Sequence, residues 1–75
     1  MREITKGITV NQGVRFGKPV IKGTRVTVDV VLGKLAGGIG FEEIMKEYDI
    51  TKRDILNAIN YAADLVGREE IRIAS

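Results

Sequence analysis

The chain is organised by one stretch, which reads Gly17-Lys18-Pro19-Val20-Ile21-Lys22-Gly23-Thr24-Arg25-Val26-Thr27-Val28. It holds the only proline of the chain, two glycines and three cations, and it leads directly into an apolar repeat typical of a helix. Three interpretations fit such a stretch: a loop that holds nucleotide phosphates, a hairpin that binds nucleic acid, or a tight connection in a small domain. The residues favour the second and the third.

A nucleotide-binding loop is the least supported interpretation. Gly17-Lys18 would have to close the pattern G-x-x-x-x-G-K-[ST], in which backbone amides and a lysine hold phosphates and a hydroxyl holds magnesium. The first glycine of that pattern falls on Gln12, and the hydroxyl position falls on Pro19, which also lacks a backbone N–H. We therefore expect no nucleotide and no other cofactor.

Length and composition limit the class of protein further. A chain of 75 residues has room for one domain, so residues 1–75 are predicted to form a single one, and dimerisation would help to bury its apolar surface. The absence of Cys and His excludes thiol and imidazole nucleophiles, disulfides and the usual zinc ligands. No apolar run is long enough to span a membrane and Met1-Arg2-Glu3 does not begin a signal peptide, so we expect a cytoplasmic protein.

Charge is distributed unevenly along the chain. Residues 1–40 carry seven Lys and Arg against two acids, whereas residues 41–75 carry five against eight. This asymmetry suits a protein that approaches phosphates with one face. The alternative is that folding disperses the basic segment over the whole surface.

Residues 8–27 are predicted to form a short strand and a basic turn region. Ile8-Thr9-Val10 alternates apolar and polar residues, as a half-buried strand does. Pro19 cannot donate to a sheet, so Val20-Ile21 is at most an edge strand or an extended segment. Lys22-Gly23-Thr24 is then the turn that follows it.

Three segments whose apolar residues have the spacing of an α-helix follow this region. The first begins after Thr27, a residue type that caps helices, and ends at Gly37-Gly38. The second begins at Phe41. The third begins at Thr51-Lys52-Arg53-Asp54, which resembles a capping box, and runs to about Val66.

The predicted fold is therefore mainly α, with a three-helix bundle over residues 28–66 behind a short N-terminal β region. Residues 41–66 have the length of a helix-turn-helix motif. Residues 67–75 form a tail whose alternating part, Glu70-Ile71-Arg72-Ile73, is a possible C-terminal strand. Such a strand could pair with Ile8–Val10 in the same chain or in a partner subunit.

A helix-turn-helix would place the start of the third helix in the major groove of DNA. The side chains there are of the types that read base edges, since arginine pairs with guanine and asparagine with adenine. The predicted base-reading set is Thr51, Lys52, Arg53, Asn57 and Asn60. Acids on both helices would repel phosphates, so a structural bundle with a solvated polar stripe remains the alternative.

The organising stretch supplies the excess of cations over acids that the helix-turn-helix lacks. Four of them lie within eleven residues that contain no acid, and a turn carrying them could hold phosphates beside the groove; they are Arg15, Lys18, Lys22 and Arg25. Catalysis is not expected, because the acids at Glu42, Glu43, Glu47 and Asp49 surround a short helix and do not converge in a cleft. No metal site is expected either.

The string Gly17-Lys18-Pro19-Val20-Ile21-Lys22-Gly23-Thr24-Arg25, with the strand before it and the helices after it, resembles domain-of-unknown-function family 433. The resemblance extends over residues 8–66. It implies a three-helix fold of the homeodomain-like or winged type. It also implies an antitoxin of the VapB type, encoded beside a small PIN-like ribonuclease toxin.

Taken with this resemblance, the residues predict a DNA-binding antitoxin that neutralises its toxin, represses its own operon and forms a homodimer. The alternative is a protein-interaction module without significant DNA binding. The predicted partner-binding residues are Arg68, Ile71, Arg72 and Ile73, which could dock on the toxin and direct an arginine into its acidic metal site. A strand that completes the domain or a dimer is the other interpretation of this tail. No membrane or small-molecule partner is expected.

Overall fold

A three-stranded antiparallel sheet forms the N-terminal part of the chain in the computed structural model, which describes residues 2–70. Its strands are β1 (Arg2–Thr5), β2 (Ile8–Val10) and β3 (Val20–Ile21), and β2 lies in the centre. The predicted strand at β2 is confirmed. β3 is an edge strand of this sheet, which agrees with the prediction for Val20-Ile21.

Residues 17–28 fold into a tight return on the outer side of β3. The carbonyl oxygen of Ile21 accepts hydrogen bonds from the backbone N–H (3.0 Å) and the hydroxyl (2.8 Å) of Thr24. The N–H of Ile21 donates to the carbonyl oxygen of Val26 at 2.9 Å. Gly23 has φ +80°, a conformation open to glycine and costly for other residues. The backbone of the organising stretch is thus a tight connection between the sheet and the first helix.

Three helices follow in the described part of the chain: α1 (Val28–Ala36), α2 (Phe41–Tyr48) and α3 (Lys52–Gly67). Each begins at the predicted residue or one beyond it. Thr27 caps α1, because its hydroxyl oxygen accepts a hydrogen bond from the N–H of Val30 at 3.4 Å.

The start of α3 is fixed by the predicted capping box. The N–H of Asp54 donates to the hydroxyl oxygen of Thr51 at 3.1 Å, and the N–H of Thr51 donates to the carboxylate of Asp54 at 2.9 Å. Two backbone donors that a helix start leaves unsatisfied therefore have partners. Aspartate performs the role that glutamate or glutamine usually has.

The sheet and the helices share one hydrophobic core. Ile8 and Ile21 of the sheet are fully buried, and so are Ile44 of α2 and Ile55 of α3. The other buried apolar side chains are Val20, Val28, Val31, Ile50 and Ala58. Burial of these side chains is the main favourable term in folding, and the sheet contributes to it as directly as the helices do.

The prediction of a mainly α, homeodomain-like or winged bundle is wrong. Helices account for about 52% and strands for about 17% of the structure, which is a small α/β domain with a β-hairpin at its start. The strands are only two to four residues long, so alternation has little length in which to show. All four residues of β1 are exposed, which removes the apolar pattern of that strand altogether.

The predicted C-terminal strand falls on Ile71 and Ile73, which lie outside the described residues. The structure does describe its proposed partner, β2. One side of β2 pairs with β1 and the other side pairs with β3, so both of its edges are occupied by strands of the same chain.

Candidate nucleic-acid interface

A polar cleft lies between α3 and the turn that joins β1 to β2. Its volume is about 360 Å³, and it is lined by Thr5, Lys6, Arg53, Asn57, Asn60, Tyr61 and Asp64. The α3 residues of this set form the polar stripe that the helical spacing predicts. The hairpin turn lies along this stripe, so the stripe is one wall of a cleft and not an isolated helix face.

The hairpin and α3 approach most closely at Gly7. Gly7 has φ +77°, and a Cβ atom built there would overlap the side-chain nitrogen of Asn57 and lie 3.0 Å from its Cγ. Position 7 therefore requires glycine for two reasons: its backbone conformation and the lack of space for a side chain. Asn57 is partly buried as a result, whereas Asn60 remains exposed.

The hairpin turn is fixed to β3 by a small network around Glu3. Its carboxylate accepts a hydrogen bond from the N–H of Gly7 (2.9 Å) and forms an ion pair with Lys22 (3.1 Å). The N–H of Lys22 in turn donates to the carbonyl oxygen of Gly7 at 2.9 Å. The hydrogen bond from Gly7, followed by that from Lys22, lowers the pKa of Glu3 below its ordinary value.

The charge of the cleft is positive where it meets the hairpin. Asp64 is the one carboxylate among the lining residues, and it forms an ion pair with Arg68 at 2.8 Å. Lys6 and Arg53 take part in no ion pair within residues 2–70. Two uncompensated cations therefore flank the asparagines of the cleft.

The four cations predicted to hold phosphates do not lie together. Lys22 is next to Gly7 and hence near Asn57, whereas Lys18 lines a surface groove with Leu65. Positions 57 and 65 of α3 are about 12 Å apart along the helix axis. Lys18 is also paired with Asp29 at 3.1 Å, and Lys22 with Glu3. Arg15 and Arg25 are exposed and form no ion pair within the described residues.

Only some of the predicted residues at the start of α3 line the cleft. The hydroxyl oxygen of Thr51 is engaged in the capping box. Lys52 lines a different depression, together with Phe41, Glu42 and Met45 of α2. Of the predicted base-reading set, Arg53, Asn57 and Asn60 are brought together and Thr51 and Lys52 are not.

Lys6 is the cleft cation that was not predicted from the sequence. It occupies the turn between two paired strands, where Thr5 pairs with Ile8. The available signal was the dipeptide Lys6-Gly7 before a predicted strand, since glycine with positive φ is typical of such turns. A hairpin turn joins two strands. Because only β2 could be predicted, this signal did not identify a hairpin.

The predicted partner-binding residues lie largely beyond the structure. Ile71, Arg72 and Ile73 are outside the described residues. Arg68 is described, and its exposed side chain is paired with Asp64 at the edge of the cleft.

Two findings concern sites of other kinds. Within residues 2–70, no group of three or more acidic, His or Cys side chains is arranged to hold a metal ion. Over the same range, no helix combines the length and the apolar character that crossing a bilayer requires.

The fold and the cleft define a small α/β domain in which a β-hairpin and a helix enclose a polar site with uncompensated cations. The chain belongs to the family described as "Protein of unknown function (DUF433)", whose model matches residues 8–62. The family resemblance is thus confirmed, while its antitoxin-like character stays a prediction. No curated protein and no solved structure matches the chain closely enough to count as a relative.

Proposed function

We propose that the chain binds duplex DNA through the cleft between α3 and the β1–β2 turn. The observation that supports this is that two cations without an ion pair within residues 2–70, Lys6 and Arg53, line the same cleft as two amide side chains. The amide side chains are those of Asn57 and Asn60. Arginine and asparagine are the side chains that pair with guanine and adenine in the major groove, and lysine neutralises phosphates.

In this proposal DNA approaches from the hairpin side of α3 and not from the α2 side. The helix α2 exposes Glu42, Glu43 and Glu47, which would repel phosphates if α2 crossed the backbone as the first helix of a helix-turn-helix does. On the hairpin side, Arg53 and Asn57 contact base edges and Lys6 contacts a phosphate. Among the cations of residues 1–40, Lys6 is the one that lines this face.

Binding through this face gives a direct test. Arg53→Ala is expected to weaken binding to the preferred duplex by about 1–3 kcal/mol and to relax the preference at one base pair, because arginine reads a base there. Lys6→Ala is expected to weaken binding to all duplexes alike and to reduce the slope of log K against log salt by about 0.9. The measurement is fluorescence anisotropy over a salt series, with duplexes from upstream of the gene and scrambled duplexes.

Arg25→Ala is the matched control, because Arg25 is exposed, forms no ion pair within residues 2–70 and is not among the residues that line the cleft. It is expected to leave both affinity and sequence preference unchanged. An unmodified chain that does not bind duplex DNA at low salt would contradict the proposal. Equal losses from Arg25→Ala and Arg53→Ala would show that the cleft is not the contact surface.

On the family resemblance, we further propose that the DNA is the chain's own operator and that a PIN-like ribonuclease toxin is its protein partner, in the cytoplasm. The chain acts by binding and not by catalysis. Its alternative role, a protein-interaction module without DNA binding, is favoured by the exposed apolar side chains of Leu65 and Val66 on α3. Absence of DNA binding together with toxin capture would select that role.

Truncation after Glu70 tests the partner-binding role of Ile71, Arg72 and Ile73 while it retains the ion pair of Arg68 with Asp64. Co-expression with the neighbouring reading frame is expected to show toxin capture weakened about tenfold or more, with DNA binding unchanged. Arg53→Ala is the reciprocal control, which should lose DNA preference and keep toxin capture. Full capture by the truncated chain removes the tail from the proposal, and a neighbour that is not a nuclease contradicts the antitoxin role.

A further inference from the structure

An apolar groove lies between α1 and the last turns of α3. Its volume is about 370 Å³, and its apolar lining consists of Pro19, Val28, Leu32, Tyr61, Leu65 and Val66. The side chains of Leu65 and Val66 are 50% and 64% exposed, which is unusual for large apolar residues that lie next to each other. The groove is thus an apolar surface that residues 2–70 leave uncovered.

Phe16 is the most exposed large apolar side chain of the described residues, with 98% of its surface in solvent. It lies in a 3₁₀ turn, Arg15–Gly17, in which all three residues have positive φ, at 52°, 57° and 79°. This backbone conformation is costly for Arg15 and Phe16, which are not glycine. The fold therefore holds a phenyl ring in water by means of a strained turn, an arrangement typical of contact sites.

The turn that carries the exposed ring leads directly into the groove. The turn ends at Gly17, and the next two residues, Lys18 and Pro19, line the groove. Phe16 does not fill the groove of its own chain, because nearly all of its side chain is exposed. A two-fold interface brings the same surface of both copies into contact. A surface that carries a projection next to a recess can therefore complement its own copy.

Size and charge fit the same arrangement. A cavity of about 150 Å³ holds a benzene ring, so the groove of about 370 Å³ has room for a phenyl group and part of its turn. Arg15, beside the ring, has no ion pair within residues 2–70, while Asp29 in the groove is 62% exposed. Hydrogen bonds from Thr27 and then Lys18 lower the pKa of Asp29. Asp29 is paired with Lys18 at 3.1 Å and remains exposed, so its carboxylate can also be reached by a cation of a second copy.

We infer that the chain forms a two-fold dimer in which Phe16 of each copy inserts into the groove between α1 and α3 of the other, with Arg15 beside Asp29. The groove and the cleft share Tyr61 but are otherwise lined by different residues of α3. The inference rests on the groove and on Phe16, and it does not depend on the proposed DNA binding.

Sedimentation equilibrium of the full chain tests the inference. Phe16→Ala is expected to raise the dimer dissociation constant about a hundredfold, because a two-fold interface loses two aromatic contacts worth about tenfold each. Val66→Glu, which puts a carboxylate in the groove, is expected to have an effect of the same order. Both side chains are mostly exposed, so neither change should disturb folding, and circular dichroism checks this.

Ala63→Glu is the matched control for Val66→Glu, since it introduces the same carboxylate at an exposed position of α3 that does not line the groove. It should leave the dissociation constant unchanged. A mixture of the Phe16→Ala and Val66→Glu chains should associate more tightly than either alone, because the mixed dimer keeps one intact ring-and-groove contact. An unmodified chain that is monomeric up to about 1 mM, or a Phe16→Ala chain that dimerises normally, overturns the inference.

Discussion

Ile55→Ala is expected to lower the free energy of unfolding by about 3 kcal/mol, because it removes three carbon atoms from the centre of the core and leaves a cavity. Ile55 is fully buried on α3 and belongs to the same cluster as Ile8, Ile21 and Ile44. A domain of this length is stabilised by about 4–11 kcal/mol in total. One side chain thus accounts for a large share of the stability, and chemical denaturation measures the loss directly.

The matched control is Ile4→Ala, which removes the same atoms from a side chain that is 43% exposed on β1. It is expected to cost about 1 kcal/mol or less. The melting temperature should fall by about 12–24 °C for Ile55→Ala and by less than about 8 °C for Ile4→Ala. Similar losses from the two changes would contradict a core in which α3 packs on the sheet.

The helices could be predicted from the sequence because their signals are local. The hydroxyl of Thr27 lies three residues from the N–H that it caps, and Thr51 and Asp54 satisfy each other across the same distance. Glycine follows α1 at positions 37 and 38, and Gly38 has φ +90°. Each boundary thus depends on side chains within one helical turn of it.

β1 could not be predicted because nothing in Arg2–Thr5 is buried. Its pairing depends on β2, which lies across a turn, and its register shifts between Glu3 and Thr5. Such an exposed and charged edge strand has no alternation of apolar residues to detect. Without β1, the remaining strand residues indicate only a short extended segment before a helical bundle. The predicted fold is mainly α for this reason.

The absence of β1 from the predicted fold also limited the prediction of the candidate site. Helical spacing placed Arg53, Asn57 and Asn60 on one stripe, and the structure brings them together. Lys6 joins them only because the hairpin folds along α3, which is a tertiary contact between segments about fifty residues apart. Conversely, Lys18 and Lys22 are close in sequence and are separated by the fold, because the return at β3 directs them to different parts of α3.

Gly7→Val is expected to lower the free energy of unfolding by about 4 kcal/mol, through two contributions of similar size. A β-branched residue at φ +77° costs about 1–3 kcal/mol in backbone strain. Overlap with Asn57 adds a further cost of about 1–3 kcal/mol, because the short asparagine side chain has few helical rotamers in which to move away. Chemical denaturation at neutral pH measures the sum.

Gly23→Val separates the two contributions. Gly23 has φ +80°, close to that of Gly7, but no atom lies within 4 Å of the position its Cβ would occupy. It should therefore cost only the strain, about 2 kcal/mol. Asn57→Ala in the Gly7→Val chain should recover most of the difference, because it removes the overlapping nitrogen. Equal costs at the two glycines, or no recovery from Asn57→Ala, would mean that the hairpin does not pack against α3 and that the cleft between them has no fixed shape.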